Sequence, residues 1–383
     1  MRKLIPLPPL AARDPNEHHR AATQLELFFD LISVIAIGAI TANLHHAISE
    51  GHGLQAFPRF AFLFLAIWWA WMNFTWFASA FDHDGPVFRI LVMVIMLGEL
   101  IFAGGARYIF ETLDMSFGVL GWCIMRVGMA LLWYCASSNP EYERTALRYA
   151  GGIMLAQFGW VALYFLAPPG TGLFIGMAAV IWALEFSVPV YAESAKLTPF
   201  HRHHMIERYG LLTIISLGEV MVSICLGFGM MFGPEAEFAP AVTSVAAVFI
   251  TFALFWLYFA EVDHLKSSTF STAFSWGYVH VLIFGGIAVI GAVVAAQMDL
   301  VAGESKAAPD DVAWWLAASL AVVMAALWFV RDRHYALGIR GWALPVMSVV
   351  VLIGGALGLS TVAFAVLMWI ALLWRVPQMT RFR

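Results

Sequence analysis

The chain has 383 residues, of which 62% are hydrophobic and only 12% are charged. A soluble domain has about 45–50% apolar and about 25% charged residues, so this composition excludes an ordinary soluble domain. The mean hydropathy of +0.81 indicates an integral membrane protein. The net charge of −4, without a run of Lys or Arg, argues against a nucleic-acid partner and leaves the lipid bilayer as the expected surrounding.

Twelve segments are apolar and long enough to cross the hydrocarbon core as helices, which takes about 20 residues each. The sequence therefore predicts an all-α fold, a polytopic bundle of about twelve transmembrane helices. In chain order the predicted spans are 24–47, 59–80, 87–107, 116–137, 146–166, 171–192, 207–229, 239–260, 276–297, 312–330, 340–357 and 359–376.

Positive charge is unevenly distributed between the predicted loops. If the N-terminus is cytoplasmic, seventeen Lys and Arg residues lie on the cytoplasmic side and three, Arg59, Arg107 and Lys306, on the other. Because cytoplasmic loops carry an excess of Lys and Arg, this bias predicts an even number of spans with both termini in the cytoplasm.

The two halves of the chain resemble each other at a constant offset of 181 residues. Glu26 aligns with Glu207, the pair Asp82 and His83 with Asp263 and His264, and Glu99 with His280. Such a match predicts two parallel six-helix repeats, as in some transporters. The predicted organisation is a cytoplasmic N-terminal segment (1–22), a first repeat (23–192), a cytoplasmic linker (193–206), a second repeat (207–376) and a cytoplasmic tail (377–383).

Three sequence motifs connect the chain to a known family. They are L-E-L-F-F-D at 25–30, the aromatic tract from Trp71 to Asp84, and E-R-Y-G-L-L-T-I-I-S-L-G-E at 207–219. The sequence resembles the bacterial low temperature requirement A family over nearly its whole length. The resemblance implies a multi-spanning protein of the bacterial cytoplasmic membrane, linked by the family name to growth in the cold, and it implies no particular biochemical activity.

Four ionisable residues are predicted near the middle of spans, where each costs about 2.5–3.5 kcal/mol on insertion scales. They are Arg126, Glu185, Glu219 and Glu99. Because Arg126 stays protonated, it needs a carboxylate or a water-filled cavity, and Glu185 and Glu219 lie at a similar depth. A network of these three would leave one carboxylate in surplus, which could exchange protons in a transporter. The alternative is that the network only holds helices together.

His280, inside a span and aligned with Glu99, is a candidate for a proton relay with that residue, and the alternative is a buried structural histidine, which is the commoner case. The aromatic tract places Trp71 and Asn73 deep enough to line a substrate cavity, while packing also explains such a tract.

A second group of polar residues gathers at the cytoplasmic ends of the predicted helices. Glu26 and Asp30 are four residues apart on one helix face, which implies a cationic neighbour, a bound cation or a protonated carboxyl. This group is interpreted either as an entry site for protons or cations or as a set of interhelical salt bridges. Its members are Glu26, Asp30, Asp82, His83, Asp84, Arg89, Glu207, Arg208, Asp263 and His264.

Metal and cofactor sites are not expected. His201, His203 and His204 lack a spacing typical of zinc sites, and no P-loop, G-x-S-x-G or H-E-x-x-H motif occurs. The sequence thus favours a non-enzyme, a proton-coupled secondary transporter of a small solute that could form a homo-oligomer. The alternatives are a non-transporting sensor or scaffold for growth in the cold, and an intramembrane lipid-acting enzyme that uses Asp82, His83 and Asp84.

Overall fold

The computed structural model describes residues 10–15, 17, 20–229, 238–261, 265 and 269–376, without the side chain of Phe270. These residues form α-helices and two short 3-10 helices and contain no strand, which confirms the all-α fold. The helices are α1 (Gln24–Ser49), α2 (Gly53–Phe81), α3 (Pro86–Gly104), α4 (Ala106–Thr112), α5 (Ser116–Ala136), α6 (Glu143–Leu166), α7 (Gly172–Glu193), α8 (Arg202–Gly229), α9 (Phe238–Tyr258), α10 (Phe270–Val301), α11 (Pro309–Val330), α12 (Ala343–Ala356) and α13 (Thr361–Arg375).

Among the described residues, eleven helical stretches are long and apolar enough to cross a membrane, with α3 and α4 counted as one stretch, Pro86–Thr112. The last helix, Thr361–Arg375, is apolar but has only 15 residues. The chain is therefore an integral membrane protein built as a polytopic helical bundle, as the composition predicts.

Local signals explain where several helices begin. Pro86 occupies the first turn of α3, where its missing N–H costs nothing. The Thr171 hydroxyl accepts the Phe174 N–H at the start of α7 (3.2 Å), and Ser360 accepts the Ala363 N–H at the start of α13 (3.4 Å).

The chain divides into two compact units. The first comprises Met1–Ala39 and Leu65–Tyr209, and the second comprises Ile40–Phe64 and Gly210–Arg383. Helices α1, α2 and α8 each contribute residues to both units. The repeat boundaries predicted from the sequence stay a prediction.

In the first unit, α5 packs against α3 and α6, and α6 packs against α7. Small residues allow the closest of these approaches. A Cβ atom on Gly121 of α5 would lie 2.5 Å from the Phe102 nitrogen of α3, and one on Gly98 would lie 2.7 Å from Met125 Cγ. The backbones of α3, which carries Glu99, and α5, which carries Arg126, are thereby held close together.

In the second unit, α11 packs against α10 and α12, and α13 packs against α9 and α12. Gly358 separates the last two helices with a φ of +63°, a left-handed conformation that favours glycine. A Cβ atom there would also lie 2.5 Å from an oxygen of Asp310, so the turn requires glycine for two reasons.

Candidate functional site

The first unit contains a buried group of charges at the start of α1. Thr23 and Glu26 form a capping box, in which the Thr23 N–H donates to Glu26 Oε2 (2.7 Å) and the Glu26 N–H donates to the Thr23 hydroxyl (3.3 Å). The capping box both begins the helix and fixes the Glu26 carboxylate in a buried position.

Arg208 of α8 joins the two acidic residues of α1. Its Nε and Nη2 donate to the two oxygens of Asp30 (3.1 and 2.6 Å), and its Nη1 lies 3.0 Å from Glu26 Oε1. Trp71 donates its indole N–H to Asp30 (2.7 Å), and His204 Nε2 lies 3.1 Å from Glu26 Oε1. We call Glu26, Asp30, His204 and Arg208, all without exposed surface, the acid cluster.

Two further buried charged residues flank the acid cluster. Arg20 is buried and lies 3.7 Å from Glu26, and its Nη2 donates to the Ala78 carbonyl (3.0 Å). Asp82 is also buried, and burial together with the negative charge of Glu26 raises the pKa of its carboxyl. This end of the unit thus holds more buried carboxyls than arginines.

Asp84 and Arg89 differ from these residues because they are exposed. Arg89 donates twice to the Asp84 carboxylate (2.8 and 2.7 Å), and this hydrogen bonding lowers the pKa of Asp84. Asp84 donates its backbone N–H to Asp82 Oδ1 (3.0 Å). His83 is exposed as well, so only Asp82 of this predicted trio faces the interior.

Glu99 lies on α3 and has no exposed surface. Its Oε2 accepts the Ser33 hydroxyl (3.0 Å), and its Oε1 has no hydrogen-bond partner among the described residues. Ser33 is three residues after Asp30 on α1, one turn further along the helix. Within the described part of this unit, Glu99 makes no ion pair.

A separate buried ion pair joins α5 to α7. Arg126 Nη2 donates to Glu185 Oε2 (2.5 Å), and the indole N–H groups of Trp69 and Trp160 donate to Oε2 (3.1 Å) and Oε1 (3.2 Å). The structure therefore brings together two of the three residues in the predicted mid-membrane network. We call Arg126, Glu185 and the surrounding Trp69, Trp122 and Trp160 the Arg126 site.

The third residue of that network, Glu219, belongs to the second unit. It is half-buried, and the described part of this unit offers it no hydrogen bond or ion pair. His280 of the same unit is wholly buried. Its Nδ1 donates to the Trp276 carbonyl (2.7 Å), and its Nε2 lies 3.3 Å from the Tyr258 hydroxyl. A coupling role for Glu219, and a relay of His280 with Glu99, stay predictions.

The second unit has a charge cluster of its own around Asp332. Arg331 Nε and Arg375 Nε donate to its two oxygens (2.6 and 2.7 Å). Arg331 Nη1 also donates to the Tyr258 carbonyl (3.1 Å), and Arg375 Nη2 donates to Glu261 (3.2 Å). We call Asp332, Arg331, Arg375 and Glu261 the Asp332 cluster.

The remaining predicted site residues have simpler surroundings. Asn73 donates to the Trp69 carbonyl (2.7 Å), and Trp71 donates to Asp30, so a cavity-lining role for both stays a prediction. Glu207 is exposed, unlike its aligned residue Glu26. Asp263 and His264 lie outside the described residues.

Sequence reasoning missed several residues of these sites. Thr23-x-x-Glu26 is a readable capping-box signature, and His204 and Arg208 are four residues apart and share a helix face. Ser33 gives no signal of its own, because its role depends on which residue the neighbouring helix places opposite it. Arg331 and Arg375 enter the sequence analysis only among the seventeen Lys and Arg residues on the cytoplasmic side, and Asp332 is not singled out there.

Comparison with known sequences supplies a family. The sequence model of the bacterial low temperature requirement A protein (LtrA) matches residues 21–376. The chain is also 26% identical, over 293 residues, to an uncharacterised protein of Rhizobium meliloti (strain 1021), in an alignment covering 72% of this chain and 69% of that protein.

Proposed function

The chain belongs to the bacterial low temperature requirement A family, and on that premise we propose that it is a secondary transporter that couples a small solute to protons. In this proposal it lies in the cytoplasmic membrane with both termini in the cytoplasm. The charge distribution of the loops supports this orientation, since seventeen of the Lys and Arg residues then lie inside.

The observation that carries the proposal is Glu99. A carboxylate with no exposed surface, and with a hydroxyl as its described partner instead of a cation, would be an uncompensated charge in a membrane-spanning helix. The carboxyl is therefore held in its neutral form in this conformation. Such a group can bind a proton in one conformation and release it in another, which is what coupling requires.

A polar stripe on α1 supplies the route to Glu99. Glu26, Asp30 and Ser33 follow one another at intervals of four and three residues and so share one helix face. Ser33 donates to Glu99 (3.0 Å), and Arg208 contacts both Glu26 and Asp30. Protons from the cytoplasm would enter at the acid cluster and reach Glu99 through this stripe.

The other predicted coupling residues take secondary places in the proposal. Glu185 accepts three hydrogen bonds, one of them from its ion-pair partner Arg126, so both of its oxygens are engaged in this conformation. Glu219 and His280 are coupling candidates of the second unit.

The test measures charge movement in proteoliposomes adsorbed on a solid-supported membrane, with pH jumps and a panel of metabolites. Glu99→Gln keeps the size and the oxygen that accepts the Ser33 hydroxyl, but it cannot release a proton. We expect a solute-dependent, pH-dependent current in the wild type and none in Glu99→Gln. The matched control is Glu143→Gln, an exposed carboxyl on α6, which should behave as the wild type does.

Two results would contradict the proposal. A Glu99→Gln current with unchanged pH dependence would remove Glu99 from coupling. No current and no solute-driven change in internal pH from a folded, monodisperse wild type would argue for the sensor or scaffold, or for the lipid-acting enzyme.

A further inference from the structure

In the Arg126 site the hydrogen-bond acceptors are engaged, whereas several donors have no acceptor among the described residues. Both oxygens of Glu185 accept hydrogen bonds, from Trp69, Trp160 and Arg126. Arg126 uses Nη2 for Glu185, while its Nε and Nη1 have no acceptor among the described residues, although the side chain is only 2% exposed. The site therefore has unused donors beside a carboxylate whose oxygens are engaged.

Trp122 adds a further donor. It lies one helical turn before Arg126, with the guanidinium carbon 5.4 Å from its ring centroid, and its indole N–H has no acceptor among the described residues. An unpaired indole N–H alone means little, since Trp133 on the same helix has one too. A guanidinium is different, because it stays charged at any physiological pH and its buried N–H groups are costly to leave unpaired.

The rest of the surroundings is aromatic. Trp182 lies 6.2 Å from Trp122 and 5.4 Å from Trp160 between ring centroids, and Phe186 lies 5.4 Å from Trp182. Aromatic walls with a few fixed polar groups are typical of sites for small organic molecules rather than for hydrated inorganic ions.

We propose that the Arg126 site binds the carboxylate of a small organic acid, through the unused N–H groups of Arg126 and the indole N–H of Trp122. A carboxylate only accepts hydrogen bonds and therefore matches the unused donors of Arg126 and Trp122. An ammonium group would need a free carboxylate, and both oxygens of Glu185 already accept hydrogen bonds. This inference rests on the proposed function, because it names the substrate class of that transporter.

Charge balance also predicts how many protons bind with each carboxylate solute. Arg126 and Glu185 together are neutral, so a bound carboxylate would bring an unpaired negative charge into the buried site. Two carboxylates on one guanidinium share a site that favours one proton, as in other carboxylate pairs. One proton from water therefore binds to a carboxylate oxygen as the solute enters and leaves with it. This proton is separate from the one on Glu99, so a solute with one carboxylate would move together with net positive charge. No other bond forms or breaks.

The experiment is calorimetric titration of the purified full-length protein with formate, acetate, propionate and butyrate. Each titration is repeated in two buffers of different ionisation enthalpy, so that proton uptake is measured directly. Propionamide and propylamine serve as neutral and cationic controls of similar size. We expect at least one carboxylate to bind with uptake of about one proton, and neither control to bind with proton uptake.

Three variants identify the site. Trp122→Phe keeps a ring but loses the N–H, and it should weaken carboxylate binding about tenfold, the effect of losing one hydrogen bond to a charged group. Arg126→Lys keeps a cation for Glu185 but loses the guanidinium donors, and it should weaken binding at least as much. Trp133→Phe removes an equally buried indole of α5 away from Arg126, and it should bind as the wild type does.

The outcomes separate this inference from the proposed function. Absence of binding for every carboxylate, or equal affinities in the wild type, Trp122→Phe and Arg126→Lys, would overturn the inference. A proton-coupled current that persists in either case would leave the transporter proposal intact. Carboxylate binding without any transport would support the site and argue against the transporter.

Discussion

The acid cluster and the Asp332 cluster use the same side-chain types in opposite proportions. In the acid cluster one buried arginine, Arg208, contacts two buried carboxylates, Glu26 and Asp30. In the Asp332 cluster two buried arginines contact one buried aspartate. Each cluster lies within its own unit, and each has a charge that its closest pairs do not cancel.

The two clusters compensate for this imbalance by different means. In the Asp332 cluster the surplus cation is met by neutral or half-exposed groups, since Arg331 donates to the Tyr258 carbonyl and Arg375 donates to Glu261. In the acid cluster the further partners of Glu26 are Arg20, at 3.7 Å, and His204, a titratable group. The first arrangement suits a permanent structural tie, and the second suits a site whose charge changes with protonation.

Arg208→Gln should break the acid cluster and have the largest effect on stability. Without Arg208, Asp30 has no cation within the cluster, and breaking a buried pair costs about 3–5 kcal/mol. The measurement is the free energy of unfolding from a denaturant titration in detergent. Arg107→Gln, which removes an exposed ion pair with Glu111, is the control and should change little. Equal losses in both variants would mean that the acid cluster contributes no more than a surface pair.

Asp332→Asn should have a smaller effect, about 1.5–3 kcal/mol, the cost of weakening hydrogen bonds to charged groups. The reason is that Arg331 retains carbonyl acceptors and Arg375 retains Glu261. The same unfolding titration measures it. Glu261→Gln is the comparison variant and should lose less, because the Glu261 side chain is one-third exposed. A loss as large as that of Arg208→Gln would remove the distinction between the two clusters.

The helices of this fold could be predicted because apolar length alone identifies a membrane span. Their ends could not, because polar residues that turn inward look like loop residues in a sequence. The prediction began α8 at residue 207, whereas the helix begins at Arg202, and the added turn includes His204, which faces Glu26. The prediction also began α2 at residue 59, whereas the helix begins at Gly53 and contains Pro58.

The candidate site could also be predicted only in part: positions along a helix could be inferred, and contacts between helices could not. Depth along a helix follows from the 1.5 Å rise per residue, so Arg126 and Glu185 could be assigned to one level of the membrane. The partners of Asp30 and Glu99 could not be assigned, because Arg208 and Ser33 meet them through the rotation and packing of different helices. The spacing of residues along a helix shows which of them share a helix face, but it does not show which neighbouring helix packs against that face.

The smallest expected effect concerns two aspartates that are two residues apart and differ in burial. Burial and the charge of Glu26 raise the pKa of Asp82 above its ordinary 3.8, so the folded protein binds this proton more tightly than the unfolded chain does. Its contribution to stability is therefore present at low pH and is lost as the pH rises through the raised pKa, by at most about 1.4 kcal/mol per pH unit. Asp82→Asn should remove this loss, so its stability relative to the wild type should increase with pH.

Asp84 should give the opposite sign. Arg89 lowers its pKa, so its contribution is present above the ordinary value and is lost as the pH falls through the lowered pKa. Asp84→Asn should therefore lose stability relative to the wild type as the pH rises, by a small amount because the pair is exposed and screened by water. Unfolding titrations of both variants and the wild type between about pH 3 and pH 7 measure the two slopes. Slopes of the same sign would mean that the burial of Asp82, and with it the acid excess around Glu26, does not govern protonation at this end of the unit.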